Sequence, residues 1–242
     1  MTSNQSDPTT RKADVASALF EKQWGTYRKV VANNLMYHRE AYGELRRVLD
    51  AEAPRPFHFL DVACGDSSSS VDALMNAPVA SYRGIDVSRP ALNLANANIE
   101  KLDCQKSLEQ RDFVDALHTW PHPVDVIWIG MSLHHLQSPG KIAVMRNIHE
   151  HLESDGLFIV WEPTLLEGED SSGWNNRFCS MRPDWTALSD EEFAVMDGHN
   201  WTADYQETAH DWLRMGREAG FSQANEIFRS PNDLHRAYLF QQ

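Results

Sequence analysis

Cysteine is scarce: Cys64, Cys104 and Cys179 are the only three, widely spaced and without a CxxC pair. That excludes a disulfide framework and a zinc knuckle, and it makes a reducing cytoplasm the expected home. No stretch approaches the roughly 20 apolar residues needed to cross a bilayer, so no membrane partner is expected. The opening segment from Met1 to Pro8 is polar and lacks the apolar core of a secretion signal. Positive charge is also short, with 22 Lys and Arg against 35 Asp and Glu and a formal net charge of −13. Such a balance argues against a broad phosphate-binding surface, and no nucleic-acid partner is expected.

What remains is an ordinary globular chain of 242 residues, long enough to bury one substantial core. Ala13 to Trp24 and Val30 to Leu49 carry apolar residues at helical spacing, which predicts two amphipathic helices ended by Pro54-Arg-Pro56. Strands and helices then alternate: strand 57–62, helix 67–76, strand 81–86, helix 89–101, a weak strand 107–111 and the strong strand 124–129. Helix 139–152 and a buried strand 156–161 continue the pattern. Residues 164–203, rich in Trp, Asp, Ser and Gly, break it as a long excursion. A helix 204–219 capped by Gly220, then strands near 221–229 and 235–241, close the chain as an antiparallel pair. Alternation of this kind predicts a mostly parallel, doubly wound α/β sheet.

The most informative stretch is the apolar run Phe57 to Val62, broken at once by Cys64-Gly65-Asp66 and four serines. It reads as strand, tight turn, helix start, and in an open α/β sheet that turn is where ligands bind. One strand later Asp86 lies roughly 20 residues past Gly65, the spacing for gripping a ribose diol. Only one glycine occupies the turn, whereas a nicotinamide dinucleotide site wants three.

Five segments carry a more specific likeness: Leu60-Asp-Val-Ala-Cys-Gly65, Ile85-Asp86, Arg111-Asp-Phe113, Met131-Ser-Leu-His-His-Leu136 and Gly156-Leu-Phe-Ile-Val-Trp-Glu-Pro163. In order and spacing the chain resembles class I S-adenosylmethionine-dependent methyltransferases over residues 57–163. The resemblance implies a Rossmann-like sheet of about seven strands, mostly parallel with a C-terminal antiparallel strand. It makes residues 1–52 a helical lid and 53–242 the methyltransferase domain, within which the aromatic, Arg-bearing residues 164–203 read either as a substrate cap or as a well-packed insertion. The implied cofactor is S-adenosylmethionine, leaving as S-adenosylhomocysteine, with no metal. Asp61, Ala63, Cys64 and Gly65 are then expected at its methionine end, Asp86 at the ribose and Val87 at the adenine face. Asp112 and Phe113 are expected at the adenine edge, and Met131 beside the sulfonium or adenine. The family often has glycine where Ala63 and Ser67 stand.

For the methyl acceptor, His134 and His135 follow the strongest strand and are the candidates to line its pocket and take a proton. Adjacent histidines point in different directions, so they make a poor bidentate metal pair. Glu162 is a candidate to hold an acceptor amine or hydroxyl. Tyr27, Tyr37 and His38 are the corresponding candidates in the lid, and Arg177 and Trp185 in the excursion, with Trp174, Arg182, His199 and Trp201 nearby. The expected function is in-line methyl transfer to the N or O atom of a small molecule, by a monomer or homodimer. The alternative is a non-catalytic cofactor-binding or protein-interaction module on the same fold.

Overall fold

The computed structural model describes residues 25–53, 56–121 and 123–242. The chain is helical over 25–32 (α1), then forms α2 (His38–Glu52), β1 (Phe57–Val62), α3 (Ser68–Leu74), β2 (Val79–Asp86) and α4 (Arg89–Ile99). There follow β3 (Gln105–Gln110), α5 (Phe113–His118), β4 (Val124–Gly130), a short 3-10 turn (Leu133–His135), α6 (Ser138–His151) and β5 (Leu152–Leu165). The last part comprises α7 (Ser171–Ser180), α8 (Asp190–Ala203), β6 (Glu207–Thr208), α9 (Ala209–Ala219), β7 (Gln223–Arg229) and β8 (His235–Gln241).

The sheet runs in the order β3-β2-β1-β4-β5-β8-β7, with β6 added alongside β5. All pairs are parallel except β5 with β8 and β7 with β8. The central strands are near-continuous apolar runs because helices cover both faces of a parallel sheet. Their side chains alternate with the pleat. Phe57, Phe59, Val126, Trp128, Leu157, Ile159 and Trp161 share one core with residues of α2, α3, α4, α7 and α8. Leu60, Val62, Ile127, Ile129, Phe158 and Val160 share the other with α5, α6 and α9. The chain steps from β1 outward to β2 and β3, then crosses back to β4. The crevice between β1 and β4 at the strands' carboxyl ends is therefore the topological switch point, where open α/β sheets bind ligands.

Several sequence expectations need correction. The helix expected over Val30–Leu49 is two helices, α1 and α2, because Asn34 and Tyr37 take left-handed backbone conformations between them. Asn34 also turns its side chain on α2, accepting from the Arg39 N–H at 2.9 Å, a local bond that competes with continuous helix. The helix expected over 13–24 lies outside the described residues, as do the side chains of His199 and Trp201. Residues 164–203 are mostly helical rather than irregular. Asp170 caps α7 through the Gly173 N–H, and Ser189 with Glu192 forms a capping box that starts α8. The final helix begins at Ala209 rather than 204, because Thr208 caps it through the Asp211 N–H. Gly220, at φ 115°, is its left-handed C-cap. The sheet has eight strands, of which β6 is only two residues long. Among the described residues, no helix is long and apolar enough to cross a membrane.

Candidate active site

A cavity of about 970 Å³ opens at the switch point. Its floor is the turn after β1, its walls are the ends of β2 and β4, and α1 and α2 supply Tyr27, Val31, His38 and Tyr42.

The floor is built by backbone conformation. Ala63, Gly65 and Ser67 stand at φ 54°, 55° and 58°, so every second residue of the turn is left-handed. Such alternation curls the chain into a tight, concave turn. The Cys64 N–H donates to the Ile85 carbonyl at 2.9 Å and the Gly65 N–H donates to Asp86 Oδ2 at 2.8 Å. These bonds pin the turn to the end of β2. The other Asp86 oxygen accepts from the Ser88 N–H at 2.7 Å, while Ser88 itself caps α4. Asp86 is half-buried on the cavity wall. Burial raises its carboxyl pKa, against the lowering effect of the Ser88, Gly65 and Val87 backbone donors.

Beneath the turn, Asp61 is 1% exposed and takes the Tyr82 hydroxyl proton bond at 2.6 Å. Burial pushes its pKa up to about 7, against the Ser70 and Tyr82 hydroxyls that favour the carboxylate. Cys64 is also buried, and burial lifts its thiol well above the usual range, as suits a packing residue rather than a nucleophile. Gly84 of β2 makes room for it, since a Cβ there would stand 2.9 Å from Cys64 Sγ.

Val87 and Leu94, two of the few large apolar side chains left exposed, line the same cavity together with Asp112, Phe113 and Met131. Asp112 caps α5 by accepting from the Val114 N–H at 2.8 Å. In the roof the Tyr27 hydroxyl lies 3.0 Å from His38 Nε2. Burial lowers the His38 pKa to about 4, so the ring is neutral at pH 7.

The far wall is the turn after β4. Glu162, fully buried at the end of β5, organises it from behind. The Ser132 and Leu133 N–H groups donate to its Oε1 at 3.1 and 2.8 Å. The His134 N–H and His134 Nδ1 lie 3.3 and 2.6 Å from its Oε2. One carboxylate thus satisfies the exposed donors at the start of the 3-10 turn and fixes the His134 ring. His135, 42% exposed at its side chain, faces the cavity.

Asp204 stands behind this wall. Its Oδ1 lies 3.6 Å from His134 Nε2 and 3.3 Å from His135 Nδ1. The segment that carries it is clamped down: the Tyr205 N–H donates to the His134 carbonyl at 2.7 Å. Lys141, fully buried over the Trp212 ring, donates to Glu207 at 2.8 Å and to the Tyr205 carbonyl.

Of the residues singled out in the sequence, the structure brings Tyr27, His38, Ala63, Cys64, Gly65, Asp86, Val87, Asp112, Phe113, Met131 and His135 to one cavity. Six others do not line it. Asp61 lies under the turn, bonded to Tyr82. His134 is turned inward to Glu162, and Glu162 spends both oxygens on the loop. Tyr37 is taken up by the left-handed link between α1 and α2. Arg177 forms a two-point pair with Glu169 at 2.7 and 2.6 Å. Trp185 is buried against Phe178 and Phe193. The 164–203 excursion is thus a packed helical layer, and none of its described side chains lines the cavity. Sequence reasoning missed Asp204 and Tyr42. Asp204 falls in no motif and far from the histidines, so only the tertiary fold reveals it.

Residues 59–156 match the family described as methyltransferase domain. That stretch is similar to a methyltransferase domain, and the fold around it is the one class I methyltransferases share. The fold is shared with several solved methyltransferases of low sequence identity. The magnesium protoporphyrin IX methyltransferase of Synechocystis PCC 6803, solved with bound S-adenosylhomocysteine, superposes with a TM-score of 0.64 at 13% identity, covering 97% of this chain and 100% of that one. The pyocyanin biosynthetic protein PhzM superposes at 0.58 with 20% identity, covering 83% of this chain and 53% of its own. The S-adenosylmethionine-dependent methyltransferase SibL gives 0.59 at 17% identity, covering 85% and 55%. The chain therefore spans little more than half the length of the latter two. No curated protein matches this chain in sequence.

Proposed function

We propose that the chain transfers the methyl group of S-adenosylmethionine to a nitrogen or oxygen atom of a small molecule held in the cavity. The observation that carries this reading is a single continuous cavity joining the Gly65–Asp86 turn to the His135 wall under Tyr27, His38 and Tyr42. Its volume suits a cofactor and a small acceptor together. The cofactor supplies an already activated sulfonium methyl, so the protein's task is alignment and exclusion of water.

The residues present suit that group. The left-handed turn offers backbone polar groups to an amino-acid end. Asp86 retains lone pairs for a diol beyond the two backbone bonds it accepts. Exposed Val87 and Leu94 offer an apolar surface to a flat base, with Asp112 and Phe113 at its edge. On the acceptor side, His135 backed by Asp204 is the group positioned to take a proton from an acceptor hydroxyl or amine. Neutral His38 and Tyr27 provide uncharged hydrogen-bonding partners in the roof. Three free cysteines suit a reducing compartment, consistent with a cytoplasmic enzyme of small-molecule metabolism.

The test is calorimetric titration with S-adenosylmethionine, followed by detection of S-adenosylhomocysteine release against a panel of small hydroxyl and amine acceptors. Release with an acceptor supports the reading. Binding without transfer to any of them favours the non-catalytic ligand-binding module, and no binding removes both.

A further inference from the structure

We propose that His134, His135 and Asp204 form a binding site for a first-row divalent cation at the acceptor wall of the cavity. The two imidazoles and one carboxylate place a ligand atom each within 4.8 Å of the others.

The spacing is the first argument. Asp204 Oδ1 stands 3.6 Å from His134 Nε2 and 3.3 Å from His135 Nδ1. An N–H···O bond prefers about 2.7–3.2 Å, so the separation from His134 is long for a direct hydrogen bond. Ligands held about 2.1 Å from a tetrahedral ion are roughly 3.4 Å apart, close to the two separations of Asp204 Oδ1 from the imidazoles.

The protonation pattern is the second. His134 Nδ1 lies 2.6 Å from Glu162 Oε2, and a carboxylate there fixes the proton on Nδ1. The other ring nitrogen, Nε2, faces the carboxylate of Asp204 at 3.6 Å. A carboxylate that orients a ligating imidazole from its far nitrogen is also the usual outer partner of a metal-bound histidine.

The third is rigidity with access. Glu162 holds the 3-10 turn from behind, and Lys141 with Glu207 holds the strand segment beside Asp204. His134 is 5% exposed at its side chain, whereas His135 is 42% exposed toward the cavity, giving an ion a path in. Imidazole and carboxylate ligands together favour Zn²⁺, Co²⁺, Fe²⁺ or Mn²⁺ over the harder Mg²⁺ and Ca²⁺. Three protein ligands leave coordination positions open to the cavity, where an acceptor oxygen would bind as its anion. In that state His135 is a ligand rather than a base. The use of the ion in methyl transfer rests on the function proposed above; the site itself does not.

The chain is stripped with EDTA and titrated with Co²⁺, read by its visible absorption, then with Zn²⁺ in competition. Binding of S-adenosylhomocysteine is measured separately, so failure of metal binding and failure of the methyl-transfer reading are told apart. The expected result is one equivalent of Co²⁺ displaced by one equivalent of Zn²⁺. His135→Ala, at a part-exposed side chain, keeps the circular dichroism spectrum and abolishes the visible bands. Asp204→Asn weakens binding as a ligand change, and Glu162→Gln weakens it about 10–100-fold as an outer-partner change. Absence of stoichiometric binding overturns the proposal, as does binding that His135→Ala and Asp204→Asn leave unchanged.

Discussion

The Gly65 N–H donates to Asp86 Oδ2 at 2.8 Å, so the turn after β1 and the end of β2 are one rigid unit. The same carboxylate anchors the chain entering α4 through the Ser88 N–H at 2.7 Å. Asp86 therefore shapes the cavity floor while presenting its remaining lone pairs to the cavity.

Replacing Asp86 by Ala should weaken S-adenosylhomocysteine binding about 10- to 100-fold, the worth of a charge-assisted hydrogen bond. Asp86→Asn keeps one carbonyl acceptor and should lose less. Calorimetry on both variants checks this; affinity unchanged in Asp86→Ala would rule out the diol assignment.

Ala63 carries a left-handed φ of 54° where the resembled family often has glycine. A non-glycine residue pays about 1–2 kcal/mol for that conformation. Glycine relieves it but gains about 0.4–1 kcal/mol of unfolded-state freedom. Ala63→Gly should thus leave thermal stability unchanged or slightly raised, while Ala63→Val lowers it. A clear loss of stability in Ala63→Gly would show that the turn is unstrained.

Stability should depend on pH through Asp61. Its carboxyl, raised to about 7 in the fold, holds a proton that the unfolded chain releases near pH 4. The folded state therefore loses stability as pH rises through that window, by at most about 4 kcal/mol. His38 and His235 have the opposite sign: burial lowers them to about 4 and 3, so stability falls as pH drops below roughly 6.5. The clean observable is a difference. Asp61→Asn should be about 2–3 kcal/mol more favourable, relative to the parent, at pH 7 than at pH 5. A difference independent of pH, measured by denaturant unfolding, would contradict the raised carboxyl.

Glu162→Gln should destabilise the fold by about 2–4 kcal/mol, because a carboxamide nitrogen would face donors that now meet oxygen. Urea unfolding of the variant reads this directly. A loss below about 0.5 kcal/mol would mean that the β4 turn is held by something other than Glu162.

Much of this architecture is written locally in the chain. Phe57–Val62 and Val124–Gly130 are apolar runs bounded by polar turns, and Asp86 lies one β-α unit from Gly65; such features follow from sequence spacing. Gly220 announced its cap in the same way. The His135 wall of the cavity was legible only in half. His135 stands in a local motif, but Asp204 reaches it through the Lys141–Glu207 clamp, a contact that no spacing encodes. Glu162 ends a strand at the ligand edge, as sequence suggests, yet its side chain turns inward to four donors. The helical nature of 164–203 was signalled by the Ser189 and Glu192 capping pair, while Trp and Gly content pointed to a loop.

The central claim is that this cavity is a methyl-donor site, and one titration tests it most directly. S-adenosylhomocysteine is added to the whole chain in a calorimeter, beside Asp86→Ala. The account predicts saturable binding of one molecule per chain, weakened in the variant. No heat of binding to the parent chain at millimolar ligand would contradict it.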